Sequence, residues 1–283
     1  GAAGLLPTLE AIKSGIDIAL SNKESLVVAG ELVMSEAARN DVQIFPIDSE
    51  HSAIWQCLLG EKNKEIKRII LTASGGPFLK READTFYSIT VEEALNHPNW
   101  KMGNKITIDS STLMNKGLEV IETHWLFGSL PENIDVVMHE QSIVHSMVEF
   151  IDGSIKSQMG MPDMKIPVQF AMTYPDRYPA KIDNNSFFSS MKLTFEPPDE
   201  EKFPCLNIAY RALETGGTAP AAMNAANEKA VELFLNRKIK FTEIPELIDQ
   251  ALQEHKVTQK PGIEDYMDAD AWARSVTQKK VMV

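Results

Sequence analysis

Apolar and polar positions follow two rhythms along the chain. In the first half, short apolar runs alternate with amphipathic stretches. The pattern predicts a helix over Pro7–Ser14, a strand over Ile16–Leu20, a helix over Ser25–Arg39 and a strand over Val42–Ile47. A helix over Ser52–Leu59 and a strand over Lys67–Ala73 follow, joined by the charged, solvated stretch Glu61–Lys67. A further short strand is expected at Lys105–Ile108, where apolar and polar residues alternate singly. Regular strand–helix alternation predicts an α/β architecture with parallel strands. Val144–Phe150 and Ser154–Met159 flank Asp152-Gly153 and read as a hairpin, followed by a helix over Asp163–Thr173. Residues 174–204, rich in Pro, Asp, Asn and Ser, read as a linker over the surface. From Cys205 onward the rhythm is helical throughout. Cys205–Glu214, Ala221–Leu235, Thr242–His255 and Ile263–Lys280 are each amphipathic, with Gly216-Gly217, Pro220 and Pro245 as punctuation, and predict a small bundle.

Composition narrows the function classes. The 283 residues are 43% hydrophobic and 24% charged, an ordinary globular balance. The formal charge of −12 makes nucleic acid a poor partner, although a local donor cluster can still hold a small phosphate ester. Cys57 and Cys205 form neither a disulfide framework nor a zinc spacing, so buried thiols in a reducing compartment are expected. No apolar run approaches the roughly 20 residues of a membrane span. The chain opens on Gly1-Ala2-Ala3-Gly4 without a Met and enters a structured pattern at once, so residues upstream, with any localisation signal, are expected to be missing.

Five segments carry candidate chemistry. Asp48-Ser49-Glu50 follows a predicted strand, and in an extended chain its two carboxylates point to one side and suit a divalent cation. A helix cap explains the same residues as well. Ser110 to Glu119 places hydroxyls, Asn115, Lys116 and Glu119 in what reads as a strand-to-helix turn. Helical spacing puts Asn115, Lys116 and Glu119 on one face, and a helix start with Ser and Lys suits an anion. Ser74-Gly75-Gly76 ends another strand in a turn that lets backbone approach an anion. His97-Pro98-Asn99-Trp100-Lys101-Met102-Gly103 is irregular and fits a lid in which Trp100 excludes water, or an anchored surface loop. Asn22-Lys23-Glu24-Ser25 again follows a strand and opens a helix. Singly, each is matched by a structural reading; their joint occurrence points to a site.

The stretches GAAGLLPTLEAI, NKESLV, PIDSEHSAIWQ, SGGPF, HPNWKMGNKITIDSSTLMNKGLEVIE, QSIVHSMVEF, PDMKIPVQFAM, FPCLNIAY and NAANE together resemble the 1-deoxy-D-xylulose 5-phosphate reductoisomerase family over almost the whole chain. The resemblance implies a Rossmann-like dinucleotide-binding domain, of which residues 1–48 are the C-terminal remnant. It also implies an α+β catalytic domain with a lid loop at 49–173, the linker at 174–204 and a helical bundle at 205–283. It assigns Asp48, Glu50 and Glu119 to Mg²⁺ or Mn²⁺, and Ser74, Ser110, Asn115 and Lys116 to the substrate phosphate. His97 and Trp100 then lie over the substrate, Lys23 and Ser49 contact its oxygens, and Asn22, Glu24 and Gly103 lie on the NADPH side. The catalytic set is Asp48, Glu50, Glu119, His97 and Lys23. The implied reaction cleaves and re-forms a carbon–carbon bond, then reduces the branched aldehyde with NADPH to 2-C-methyl-D-erythritol 4-phosphate in non-mevalonate isoprenoid biosynthesis. The implied partners are a small sugar phosphate and a second copy of the chain, with no membrane or nucleic acid. The bacterial cytoplasm is the expected location, with plastid targeting left open.

The sequence departs from the family pattern in having no G-x-G-x-x-G fingerprint, so these residues alone are expected to lack tight NADPH binding and hydride transfer. A metal-dependent sugar-phosphate isomerase or aldolase without a redox step, and a non-catalytic binding relative, stay open.

Overall fold

A computed structural model describes residues 1–98, 100, 102–182 and 192–281. Asn99 and Lys101 of the expected lid, and residues 183–191 of the expected linker, lie outside the described residues. In chain order the first elements are α1 (Leu5–Lys13), β1 (Ile18–Leu20), α2 (Glu24–Arg39), β2 (Ile44–Pro46), α3 (Ser49–Leu58), β3 (Ile66–Ala73) and α4 (Val91–Ala94). The middle holds α5 (Asn104–Ser111), α6 (Met114–Phe127), β4 (Ile134–Met138), β5 (Val144–Phe150), β6 (Ile155–Met159) and α7 (Lys165–Thr173). The helices α8 (Cys205–Thr215), α9 (Ala219–Leu235), α10 (Glu243–Glu254) and α11 (Ile263–Lys280) complete the order.

The architecture is mixed α/β. β1 and β2 pair in parallel, Ile18 opposite Ile44 and Leu20 opposite Pro46. A second sheet has the order β4-β3-β5-β6. Within it β3 runs parallel to β4 but antiparallel to β5, and β5 is antiparallel to β6. The Asp152-Gly153 turn joins β5 and β6 as expected, with Gly153 at φ 85 and Asp152 Oδ1 accepting from Ser154 N at 2.9 Å. Both strands of the parallel pair β1/β2 lead directly into helices, α2 and α3, at the end where ligands collect.

α6 forms the spine. Met114 and every residue from Lys116 to Thr123 are buried. One apolar cluster joins Leu118, Val120 and Ile121 of α6 to the larger sheet and to α8, α9 and α10. A second cluster packs α1 and α2 on Ala221 of α9 and on Tyr266 and Ala269 of α11. Trp125 is partly buried against both. Among the described residues no helix is long and apolar enough to cross a membrane.

One expected strand is absent and one observed strand was not expected. The segment read as a strand at Lys105–Ile108 lies inside α5. Its Lys-Ile-Thr-Ile alternation imitates a strand, but Thr107 Oγ1 bonds Gly103 O at 2.8 Å and Ser111 Oγ bonds Ile108 O at 2.8 Å, both within helical turns. Ile108 enters the core from one helical face. The strand β4 was not anticipated; it is a short run that depends on pairing with β3. Within 174–204, Glu196 exchanges backbone bonds with Met138, 2.7 and 3.1 Å, and so lies along the end of β4.

The spine tolerates no added volume where it crosses α8. A Cβ on Gly117 would sit 2.5 Å from Ala209 Cβ, which is fixed to its own backbone. Gly117→Ala is expected to destabilise the fold by about 1–3 kcal/mol through overpacking, despite Ala's better helix propensity. Urea unfolding checks this, and an unchanged midpoint would contradict the close crossing.

Candidate active site

The site forms where parallel strands end. Leu20 closes β1 and leads through Ser21, Asn22 and Lys23 into α2; Pro46 closes β2 and leads through Ile47 and Asp48 into α3. Because β1 and β2 are parallel, both loops open at one edge, and Lys23 Nζ pairs directly with Asp48 Oδ2. The extended geometry expected for Asp48 and Glu50 is not what brings them together. Asp48 is the N-cap of α3 at φ −55 and ψ 133, and Glu50 lies in the first helical turn. The Asp48 side chain makes no capping bond and is committed to the cluster instead.

Glu119 arrives from α6. One ligand oxygen from each of Asp48, Glu50 and Glu119 lies within 4.8 Å of the others. Two ammonium groups are interleaved with them. Lys23 Nζ is also 3.0 Å from Glu119 Oε1 and 2.9 Å from Asn115 Oδ1. Lys116 Nζ bridges Glu50 Oε1 at 2.9 Å and Glu119 Oε2 at 2.5 Å. Asn115 Nδ2 donates to Glu119 Oε1, so the helical face read from the sequence is realised. Burial works against the charge on Lys23, but Asp48 and Glu119 outweigh it and hold its pKa well above the ordinary value. Burial and the neighbouring Glu50 push Glu119 up to about 7, against the pull of Lys116. Glu50 is lowered: burial opposes its charge, but Lys116 and Lys23 dominate.

The charge count identifies what suits the cluster. With all three carboxylates ionised, the two ammoniums leave one negative charge in a largely buried site, a state that the raised Glu119 reaches fully only with further positive charge beside it. The donors are all oxygens from carboxylates, the set a hard divalent cation prefers, and bonds of about 2 Å span this triad with small side-chain shifts.

Beneath the triad lie two groups that the sequence reading passed over. His51 and Glu122 are 0% and 1% exposed, with His51 Nδ1 3.3 Å from Glu122 Oε2. His51 Nε2 lies 3.0 Å from Glu119 O and 3.0 Å from Thr123 Oγ1, which fixes the ring against α6. Burial lowers the His51 pKa to about 4, and burial with Asp48 raises Glu122 well above the carboxylate range. A His three residues after Asp48 and a Glu three after Glu119 repeat the helical spacing of the ligands, and that was the available signal.

The cluster floors a cleft of about 250 Å³. Ser49, Ser74, His97, Trp100, Ser110, Asn115 and Lys116 line it. Ser21, Met102, Ile106, Leu113 and Met164 line it too, without having been singled out. Asn22, Glu24 and Gly103 are not among the lining residues. Ser49 Oγ donates to Glu50 Oε2 at 2.6 Å. Trp100 N donates to His97 Nδ1 at 3.0 Å, which places the neutral ring's proton on Nε2, 3.2 Å from Ser74 Oγ. Ser110 lies in the last turn of α5 rather than after a strand. Leu113, left-handed at φ 59, joins α5 to α6, so the anion-favouring helix start belongs to Met114–Lys116. Gly75 and Gly76 have φ 86 and 64, and a Cβ on Gly76 would meet Ser110 O at 2.8 Å, so this turn must approach α5 closely. A larger hollow of about 740 Å³, between α8 and α10, contains none of these ionisable groups.

Comparisons with known proteins agree with one another. Residues 1–30 match the sequence profile described as 1-deoxy-D-xylulose 5-phosphate reductoisomerase, and residues 44–127 match that of its C-terminal domain. Residues 159–276 match a profile described as DXP reductoisomerase C-terminal domain. The reductoisomerase of Acetivibrio thermocellus is 57% identical over 277 residues, covering 98% of this chain and 73% of that protein. That of Chloroherpeton thalassium is 57% identical over 280 residues, covering 99% and 72%. Among solved structures, a DOX-P reductoisomerase in complex with NADPH, fosmidomycin and magnesium superimposes with a TM-score of 0.95 at 42% identity, over 100% of this chain and 74% of that one. The Zymomonas mobilis enzyme in complex with NADPH gives 0.91 at 40% identity, over 99% and 73%.

The charge argument has a direct test. Glu119→Gln removes one negative charge and one ligand oxygen while keeping the shape. Affinity for Mn²⁺, measured by titration calorimetry, is expected to fall by more than about 100-fold, beyond the loss typical of an outer-sphere partner. Undiminished Mn²⁺ binding would remove Glu119 from the ligand set.

Proposed function

The chain belongs to the 1-deoxy-D-xylulose 5-phosphate reductoisomerase family, and we propose that the cleft above Asp48, Glu50 and Glu119 is where its reaction takes place. The enzyme converts 1-deoxy-D-xylulose 5-phosphate to 2-C-methyl-D-erythritol 4-phosphate, using NADPH and a divalent cation, in non-mevalonate isoprenoid biosynthesis. The matched relatives and structures are named as this reductoisomerase, which favours the redox reading over an isomerase or aldolase without a redox step and over a non-catalytic relative. The observation that carries the site assignment is the convergence of three carboxylates and two lysines beside a second group of phosphate-type donors.

The residues present fit a divalent cation: Asp48, Glu50 and Glu119 would hold it, and it would supply Lewis-acid polarisation of substrate oxygens. NADPH would supply the hydride, on the side of Asn22, Glu24 and Gly103.

The chain's own groups do the positioning. Lys23 and Lys116, both kept charged by the carboxylates around them, present N–H donors to substrate oxygens. Ser49 orients Glu50 and reaches the substrate from the same turn. Ser74, Ser110, Asn115 and Lys116 hold the phosphate and so fix the phosphate-bearing part of the substrate during the rearrangement. His97, with its proton on Nε2, donates into the cleft, and Trp100 covers it as part of a lid and excludes water.

A homodimer is supported by the edge of the larger sheet. β6 is an edge strand, and Ile151, Ile155 and Met159 beside and within it are 67%, 53% and 40% exposed. An apolar edge of this kind suits pairing with a second copy. The bacterial relatives support a cytoplasmic location.

NADPH oxidation by the full-length protein tests the reading. Turnover with 1-deoxy-D-xylulose 5-phosphate is expected to stop on chelation and return with Mg²⁺ or Mn²⁺. Lys116→Ala is expected to lower kcat/KM by about 10- to 100-fold, the loss of one hydrogen bond to a charged group. Turnover that survives chelation, or that ignores Lys116→Ala, defeats the assignment. For the lid, fosmidomycin binding is expected to change tryptophan fluorescence, with most of the change lost in Trp100→Phe. A change that persists in that variant assigns the signal to Trp55, Trp125 or Trp272 and removes support for closure.

A further inference from the structure

Behind the cleft, a polar chain links α2 and α5, which border it, to α9, which does not. At the start of α2, Asn22 Nδ2 donates to Glu24 Oε2 at 2.9 Å. Lys105 Nζ of α5 lies 3.0 Å from Glu24 Oε1 and 2.7 Å from Asp109 Oδ2, one turn further along the same helix. Asp109 Oδ1 accepts from Asn227 Nδ2 of α9 at 2.9 Å. Asp109 and Asn227 are both 0% exposed.

Each end of this chain adjoins a different ligand subsite. Asn22 and Glu24 flank Lys23 on the cofactor side, and Asp109 directly precedes Ser110 on the phosphate side. Burial works against the charge on Glu24, but Lys105, joined by the Gly1 ammonium 3.2 Å from Glu24 Oε1, lowers its pKa, so the carboxylate stays ionised at neutral pH. A buried Asp109 carboxylate depends on Lys105 for its counter-charge. Lys105 keeps both partners only while α2 and α5 hold this spacing. Asn227 anchors Asp109 to α9, so a shift at Glu24 is taken up by Lys105 and α5 rather than by rotation of Asp109.

We propose that Lys105 is a positioning residue that couples the cofactor side of the cleft to its phosphate side, through Glu24 at one end and Asp109 with Ser110 at the other. Occupancy of one subsite then tightens the other, reciprocally. The inference rests on the functional reading given above.

The test measures coupling rather than stability. With full-length protein and Mg²⁺, the Kd of fosmidomycin is determined by calorimetry with and without NADPH, and that of NADPH with and without fosmidomycin. The wild-type ratio is expected to lie in the usual range of about 5- to 150-fold. Lys105→Met should still bind each ligand, with the ratio reduced to within about twofold of unity, the coupling free energy being close to zero. Lys105→Arg, which keeps the charge, should restore it. Asp109→Asn cuts the bridge at its other end while keeping shape, at a residue that meets no ligand, and reads the same quantity if Lys105→Met does not fold. A merely structural role would lower the melting temperature of Lys105→Met and leave the ratio unchanged, which overturns the proposal. So does a wild-type ratio of one. Wild-type protein that binds neither ligand overturns the functional reading, and the inference with it.

Discussion

Mutual repulsion among Asp48, Glu50 and Glu119 is the constraint around which this protein is arranged. Like charges held this close in a partly dehydrated site disfavour the folded state unless cations stand between them. Lys23 and Lys116 perform that task, each touching two of the three carboxylates. With all three carboxylates ionised one negative charge remains, which would suit a divalent cation held by Asp48, Glu50 and Glu119. Such a cation would leave the lysines' N–H groups free to meet substrate oxygens, so metal binding and substrate binding would draw on one set of ions.

The helix that delivers Glu119 also ties this cluster to the rest of the fold. Asn115, Lys116 and Glu119 face the cleft, while Gly117 and Leu118 pack away from it in the large apolar cluster or against α8. Glu122, one turn below Glu119, meets the ring of His51. Side chains on a helix buried this completely inherit its rigidity, which suits positioning to within a fraction of an ångström. The C-terminal helices therefore act on the site through packing, although none of their side chains lines the cleft.

Much of this was legible in the sequence. Helical spacing put Asn115, Lys116 and Glu119 on one face without reference to tertiary structure. Lys23 and Asp48 were each read as following a strand, and the parallel pairing of β1 and β2 is what opens both loops at one edge. What failed were inferences that needed local conformation. Asp48 and Glu50 converge because a helix begins between them, not because the chain is extended. The alternation at Lys105–Ile108 obeys strand periodicity, yet Thr107 and Ser111 back-bond into helical turns, so packing of Ile108 decided the outcome. His51 and Glu122 were missed because their spacing of three from Asp48 and Glu119 was the available signal, and spacing by itself does not separate a buried polar pair from ordinary helical neighbours. The family resemblance supplied roles that spacing alone left equal to ordinary caps and turns.

The joint at Leu113 imposes opposed demands on a single position. Its backbone sits at φ 59, where glycine is least strained, while its side chain is only 2% exposed and belongs to the apolar core. Glycine there would relax the backbone and leave a void between α5 and α6; β-branched residues would fill the void and resist the turn. Few of the twenty amino acids meet both conditions. A side chain that offers no hydrogen-bonding group to the cleft it lines is thus among the hardest in the chain to replace, because backbone and core reject different substitutes.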